Sequence, residues 1–291
     1  MLSSLALAGC VTDDLAIDHA TNEIIGGSRS IGAQATVLLA SYPADRSVLL
    51  TCTAVVVAPT VLLTAAHCVD RPNHLNHIYG VFPGDDASAF PTLAMLEPQL
   101  LPVAVAKAHP QYETTVPFFA DIGVVVLRSP IANTPVAMQR DPIDDTIVGM
   151  PAQIIGYGQT VFDQPNLARF EATTTVASID EDTIVVGDAN KHGCLGDSGG
   201  PVIVDGKVAG VDSFGPVGCT AASHYRRVDF FLPFIDPFLT PDPDPDPDPD
   251  PMPDPDPDPL QPVGEAGGCA VGGGAELAGA LALMLLRRRR R

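Results

Sequence analysis

The chain has 291 residues, 46% of them hydrophobic, so it is long enough for one large or two small domains with a real core. Its 35 acidic residues outnumber 16 lysines and arginines, and the formal net charge is −19. This balance argues against nucleic acid as a partner, and no segment reaches the roughly 18 apolar residues of an ordinary membrane span.

The first 23 residues read as a leader. Residues 1–10 form an apolar run that ends in Leu-Ala-Gly-Cys, which resembles a lipoprotein signal whose cysteine, Cys10, is acylated after cleavage. A plain signal peptide is the alternative interpretation. Residues 11–23 are acidic and polar, which is typical of a short pro-segment or spacer.

Short apolar strands separated by turns follow, and they predict an antiparallel barrel that extends to Leu127. The clearest strands are 36–40, 48–57 and 61–63. The last of these runs directly into Ala66-His67-Cys68. Asp121 stands at the mouth of a β-branched run, 122–127, that is typical of a buried strand.

A second set of strands begins near Ala152 and predicts a second barrel. A short helix is expected at 230–238, although Pro233 and Pro237 would interrupt a long one. The strands predicted in this half are 154–158, 173–179, 183–186, 201–204 and 208–211.

The loop Gly196-Asp197-Ser198-Gly199-Gly200-Pro201 places three glycines around one serine. Glycine lets a backbone turn sharply and aim successive N–H groups at one point. Ser198 is therefore a candidate nucleophile, and the N–H groups of Gly196 and Ser198 a candidate oxyanion hole. Such a serine needs a histidine base and a carboxylate that orients it.

His67, Asp121 and Ser198, in this order and with these flanking residues, resemble the trypsin-like, chymotrypsin-fold (S1) serine peptidases over residues 24 to about 239. The resemblance implies an all-β fold of two six-stranded antiparallel barrels, about 24–130 and 131–239, with the active site in the cleft between them and a short C-terminal helix. It also implies a His-Asp-Ser catalytic triad with no cofactor and no metal.

The resemblance assigns further roles. It pairs Cys52 with Cys68, and Cys194 with Cys219, in disulfides, which indicates an oxidising compartment outside the cytoplasm. Four unpaired core thiols are the alternative. Cleavage before Ile24 would free an ammonium group that pairs with Asp197 and orders the oxyanion loop. The bond follows Glu23, whereas the family most often cuts after Arg or Lys, so the activating protease stays open.

The same resemblance indicates the substrate-binding residues. Ser213, Phe214 and Gly215 match the family's Ser-Trp-Gly strand, which pairs with the substrate backbone. His192 stands where the family's pocket floor carries an aspartate, so preference for Arg or Lys loses its main support. The resulting hypothesis is Glu or Gln at P1, the residue whose carbonyl is attacked, and self-activation after Glu23. Asp212 lies on the adjacent strand, and if its side chain faces the pocket it would repel an acidic P1 residue and argue against this hypothesis.

Three other histidines are interpreted as non-catalytic. His74 and His77 have a spacing that suits metal binding, but without a nearby third ligand a solvated loop is favoured. His109 precedes Pro110 and is interpreted as structural.

The C-terminal part is a spacer and an anchor. Residues 240–262 contain a Pro-Asp repeat that forbids helix and sheet and predicts an extended linker, with calcium binding by its aspartates as a minor alternative. Residues 263–291 combine Cys269, a short apolar run and five final arginines, and resemble a MYXO-CTERM sorting signal. An unprocessed membrane tail is the alternative.

These patterns predict an exported serine endopeptidase that acts on proteins or peptides, at the cell envelope or cell surface or released from it. A non-catalytic binding or adhesion module on the same fold and a surface esterase that uses the same triad are the alternatives.

Overall fold

The computed structural model describes residues 24–70, 77–115, 118–158 and 167–239, and nearly all regular structure in them is β-strand. Three one-turn helices interrupt the strands: α1 (Ala66–Val69), α2 (Leu93–Leu96) and α3 (Leu232–Ile235). The strands are β1 (Ser28–Arg29), β2 (Thr36–Pro43), β3 (Leu50–Ala58), β4 (Val61–Thr64), β5 (His77–Phe82), β6 (Leu101–Ala108), β7 (Gly123–Leu127), β8 (Pro151–Gly156), β9 (Phe170–Ile179), β10 (Thr183–Val186), β11 (Pro201–Val204), β12 (Lys207–Phe214) and β13 (Ser223–Arg227).

Strands β2 to β7 close the first barrel in the order β2-β3-β4-β7-β6-β5, and all of the pairings are antiparallel. Every residue of β4 is buried, because one face lines the barrel and the other packs on the second barrel. Leu62 points into the first barrel with Val37 and Val125, whereas its neighbour Leu63 packs in the cluster between the barrels.

The second barrel has the order β8-β9-β10-β13-β12-β11, and β9 closes it by pairing with both β8 and β10. Along β9, Ala172, Thr174 and Val176 are buried while the threonines between them are exposed. This alternation is expected of a strand that has one face in the core and the other exposed to solvent. The predicted fold of two six-stranded antiparallel barrels with a short C-terminal helix is confirmed.

The N-terminal segment joins the second barrel. Strand β1 pairs with β9 through Ser28 and Glu171, and the Ile24 side chain is fully buried in the second barrel's core. The sequence placed residues 24–130 with the first barrel, so the structure adds that this segment reaches across to the other one.

An apolar cluster joins the two barrels. Val55 and Ile122 from the first barrel pack with Val211 of β12 and Ile235 of α3. Nearby, His109 lies against the rings of Phe231 and Phe234 at centroid distances of 5.3 and 4.9 Å. His109 is thus a packing residue, as the sequence indicated. His77 begins β5 and pairs with Pro43.

None of the helices in the described ranges is long and apolar enough to cross a membrane. Several predicted features fall outside the described residues. These are the leader with Cys10, the Asp-Pro linker, His74 and the C-terminal segment with Cys269.

Candidate active site

His67 and Asp121 form the hydrogen-bonded centre of the site. His67 lies in α1, directly after β4, and the fully buried Asp121 lies two residues before β7. Asp121 Oδ1 accepts a hydrogen bond from the His67 backbone N–H at 2.9 Å, and Oδ2 lies 2.8 Å from His67 Nδ1. An ionised carboxylate only accepts hydrogen bonds, so Nδ1 carries the proton and Nε2 is the basic nitrogen.

The Asp121 carboxylate stays ionised although it is buried. Burial raises the pKa of Asp121, but the charge and hydrogen bonds of His67 and the hydroxyl of Ser213 outweigh that effect and hold the pKa below its usual value. Ser213 Oγ donates to Asp121 Oδ2 at 2.6 Å. Because Ser213 lies on β12, this hydrogen bond brings the second barrel to the carboxylate of the first.

Ser198 lies in a loop that is fastened to the first barrel. Gly196 and Gly199 have φ angles of 91° and 85°, which favour glycine. Thr53 of β3 donates from its backbone N–H to the Ser198 carbonyl at 2.9 Å and from its hydroxyl to the Gly196 carbonyl at 2.8 Å. These contacts hold Ser198 in the same cleft as His67.

Both predicted disulfides are confirmed. The Cys52–Cys68 bridge, with a Cα to Cα distance of 6.2 Å, ties β3 to the helix that carries His67. The Cys194–Cys219 bridge, with a Cα to Cα distance of 5.2 Å, joins the loop before Ser198 to the loop after β12. Each bridge therefore fixes one wall of the site.

Asp197 faces away from the cleft into a pocket of backbone donors. Only 2% of the residue is exposed, and its two carboxylate oxygens accept hydrogen bonds from the N–H groups of Gly158 and Cys194, each at 2.9 Å. A Cβ on Gly158 would lie 2.5 Å from this carboxylate, and one on Gly156 would be closer still. The sequence predicts only a strand over 154–158. The structure shows in addition that Gly156 and Gly158 leave room for the Asp197 side chain.

One cleft of about 880 Å³ contains most of the predicted site. Leu195 and Val217, which are 51% and 101% exposed, lie at its edge. Phe214 lines the cleft and stacks on His224 with 4.3 Å between ring centroids. The predicted site residues that line the cleft are His67, Cys194, Ser198, Ser213, Phe214, Gly215 and Cys219.

His192 is placed differently from the interpretation of the sequence, whereas Asp212 meets the condition under which it opposes an acidic P1 side chain. Among the described residues, those that line the cleft do not include His192, whose side chain is fully buried with Nδ1 2.8 Å from the Gly193 carbonyl. Asp212 does line the cleft. The hypothesis of Glu or Gln at P1 therefore has no His192 contact in the cleft to support it, and the acid Asp212 lines the cleft instead.

Two β-barrels that hold a serine, a histidine and a buried aspartate at their shared cleft define the class of double-barrel serine endopeptidases. The family model described as Trypsin matches residues 24–235. The chain belongs to the trypsin family, and it is a serine-type endopeptidase.

Individual relatives agree with this assignment. The chain is 29% identical over 211 residues to a trypsin of Phaedon cochleariae, a match that covers 64% of this chain and 77% of that protein. It is 28% identical over 204 residues to granzyme E of Mus musculus, covering 63% and 77%. The structure of neuropsin, a serine protease of mouse brain, superposes with a TM-score of 0.60 at 25% identity, covering 75% of this chain and all of that one. The structure of GrC gives 0.62 at 23% identity, covering 74% and 99%, which supports the fold alone.

Proposed function

We propose that this chain is an exported serine endopeptidase that hydrolyses peptide bonds through His67, Asp121 and Ser198 by way of an acyl-enzyme. The observation that carries the proposal is the buried Asp121 carboxylate, which accepts hydrogen bonds from the backbone and ring of His67 and from Ser213. A buried acid with three donors has one evident use here, which is to fix the imidazole with Nε2 toward Ser198.

The mechanism follows from these contacts. His67 Nε2 takes the Ser198 proton as Oγ attacks the substrate carbonyl, and the imidazolium is stabilised by Asp121. The N–H groups of Gly196 and Ser198 stabilise the oxyanion. His67 then protonates the leaving amine, which leaves an ester on Ser198, and water activated by the same nitrogen hydrolyses that ester.

Activation by cleavage before Ile24 is part of the proposal. The Ile24 side chain is fully buried, and the Ile25 N–H donates to the His192 carbonyl at 2.9 Å, so the segment already lies in the second barrel. Asp197 offers a buried carboxylate for the new ammonium group, and a buried charge is stable only when it is paired. Pairing would order the loop that holds Gly196 and Ser198.

The proposed location is the cell envelope or surface. The two disulfides support an oxidising compartment. Anchoring rests on the sequence of the terminal segments alone. Fractionation of cells that express Cys10→Ser and Cys269→Ser chains separates the two anchors, since loss of the true one releases the peptidase domain.

The decisive test of the proposed activity uses a chain in which residues 19–23 are replaced by Asp-Asp-Asp-Asp-Lys and which is cut with enteropeptidase. We expect hydrolysis of peptide amides after cutting and none from the Ser198→Ala version. Hydrolysis of esters without amides would favour an esterase. Absence of both, in a folded and cut chain, would favour a binding module.

A further inference from the structure

Asp212 is a buried acid in the cleft that the proposed mechanism does not use. Its backbone N–H donates to the Gly200 carbonyl at 2.8 Å, and its carbonyl accepts from the Gly199 N–H at 2.8 Å. These hydrogen bonds fix Asp212 beside the two residues that follow Ser198. The side chain faces the cleft together with Gly193 and Ser223.

The Asp212 carboxylate has an unfilled hydrogen-bonding position. Only 5% of the residue is exposed, and among the described residues the buried Oδ1 has no hydrogen-bond partner. A buried carboxylate oxygen without a donor costs free energy, and it points to a group that the substrate supplies.

The charges around Asp212 favour a cation in that place. Burial raises the pKa of Asp212, the nearby Asp197 and Asp121 raise it further, and a hydrogen bond from the Ser213 backbone offsets only part of this increase. Tyr225 from β13 also faces this side chain, and burial, Asp212 and Asp197 raise its pKa well above the usual value. An acidic P1 side chain would bring a further carboxyl group beside Asp212, whereas a cation there would lower the pKa of the Asp212 carboxyl and pair with it.

Arg226, which pairs with Val211 next to Asp212, already has other partners. Its guanidinium donates to Asp182 Oδ2 and Thr183 Oγ1, both at 2.7 Å, and to the Phe118 carbonyl at 3.0 Å, and it lies 5.7 Å from the centre of the Phe214 ring. The cleft-lining residues among those described include no lysine or arginine, and the other titratable residues there are Asp70, Tyr112, His67 and His224. The cleft therefore lacks its own counter-ion for Asp212.

The walls of the cleft suit a long aliphatic stem. The Cys194–Cys219 bridge, Gly215 and Phe214 line the same cleft as Ser198 and Asp212. A stem with a terminal cation would bury its methylene groups there and place its charge at the carboxylate.

We propose that Asp212 is a specificity-determining residue that selects lysine or arginine at P1, with its carboxylate pairing directly with the substrate cation. This rests on the proposed function, because P1 is defined by attack of Ser198 on the adjacent carbonyl. The acid comes from β12 and not from position 192, where the family's pocket floor carries an aspartate and this chain has His192. The chain therefore selects basic residues with an acid at a different position.

The test compares kcat/KM for peptide amides that differ only at P1, with Lys, Arg, Gln, norleucine and Glu, in the cut chain. We expect Lys or Arg to exceed Gln by about 30-fold or more, since losing one partner of a buried charge pair has an effect of that order. Asp212→Asn should abolish the difference between kcat/KM for Lys or Arg and kcat/KM for Gln. Asp205→Asn, the same change in the exposed turn between β11 and β12, is the matched control and should keep the wild-type profile.

A binding measurement separates this inference from the proposed function and from failure of a variant to fold. Benzamidine, an aromatic cation, should bind the cut wild-type chain at least about 30-fold more tightly than its neutral analogue benzamide, and Asp212→Asn should remove the difference. Calorimetry detects this binding even if Ser198 is inert, and the wild-type comparison stands if the variant does not fold. Equal affinity for both compounds, or a preference for Glu at P1, would overturn the assignment.

Discussion

Asp121 holds His67 at two points, through the backbone N–H at 2.9 Å and through the ring Nδ1 at 2.8 Å. Two contacts to one residue fix both the position of α1 and the rotation of the imidazole. The acid thereby determines which ring nitrogen of His67 carries the proton, and a neutral amide in its place would leave that choice open.

Asp121→Asn should lower kcat by about 10³- to 10⁴-fold, because the amide nitrogen can face Nδ1 and stabilise the wrong tautomer of His67. The melting temperature and disulfide content should show that the fold is retained. Asp205→Asn serves again as the matched control. A loss below 10-fold would show that Asp121 does not orient the base.

Ser213→Ala should produce a smaller loss in kcat, about 10- to 100-fold, because it removes the hydrogen bond to Asp121 Oδ2 but leaves both contacts to His67. Since the Ser213 hydroxyl acts through Asp121 rather than on the substrate, KM should change little. Ser213→Thr, which keeps the hydroxyl, should recover part of the rate. An effect on KM alone would assign Ser213 to substrate binding only.

Gly158→Ala should block activation after the chain has been cut before Ile24. The added Cβ would lie 2.5 Å from the Asp197 carboxylate, so the carboxylate would have to leave the place where it meets the new ammonium group. We expect at least a 100-fold lower rate in the cut variant. Gly32→Ala, where a Cβ meets no atom within 4 Å, is the control. Wild-type activity of Gly158→Ala would show that Asp197 does not act as the switch.

The preference for Lys over Gln at P1 should rise with pH. The raised pKa of Asp212 means that the free enzyme carries more of the neutral acid at low pH, and only the ionised form pairs with a cation. Hydrolysis of both substrates depends in the same way on the ionisation of His67. That dependence cancels in the ratio of the two kcat/KM values measured on one enzyme. A ratio that stays constant between pH 5 and 9 would contradict the pairing.

Much of the fold could be predicted because local patterns were strong. Strands β10 and β11 were predicted at the bounds that the structure shows. The turn after β11 is also readable, since Asp205 and Gly206 adopt positive φ angles of 49° and 72°, for which Asp-Gly is well suited. The placement of β1 on the second barrel was missed, because a two-residue strand has no periodicity to detect.

The specificity of the cleft could not be predicted for a physical reason. Which face of a strand lines the pocket depends on register, and β12 carries a bulge between Asp212 and Phe214 that no local pattern announces. His192 likewise turns away because its backbone bridges Ile25, a residue far away in the sequence. Sequence resemblance located the catalytic candidates, because each of them stands in a short motif of its own, but it did not decide between two pocket residues.

The most direct test of the central claim is the mass of the intact chain after treatment with a fluorophosphonate, before and after cleavage ahead of Ile24. We expect the cut chain to gain one adduct, mapped by peptide sequencing to Ser198, and the uncut chain and the Ser198→Ala version to gain none. A cut, folded chain that stays unlabelled, or one that is labelled equally in Ser198→Ala, would contradict the assignment of Ser198 as an activated nucleophile.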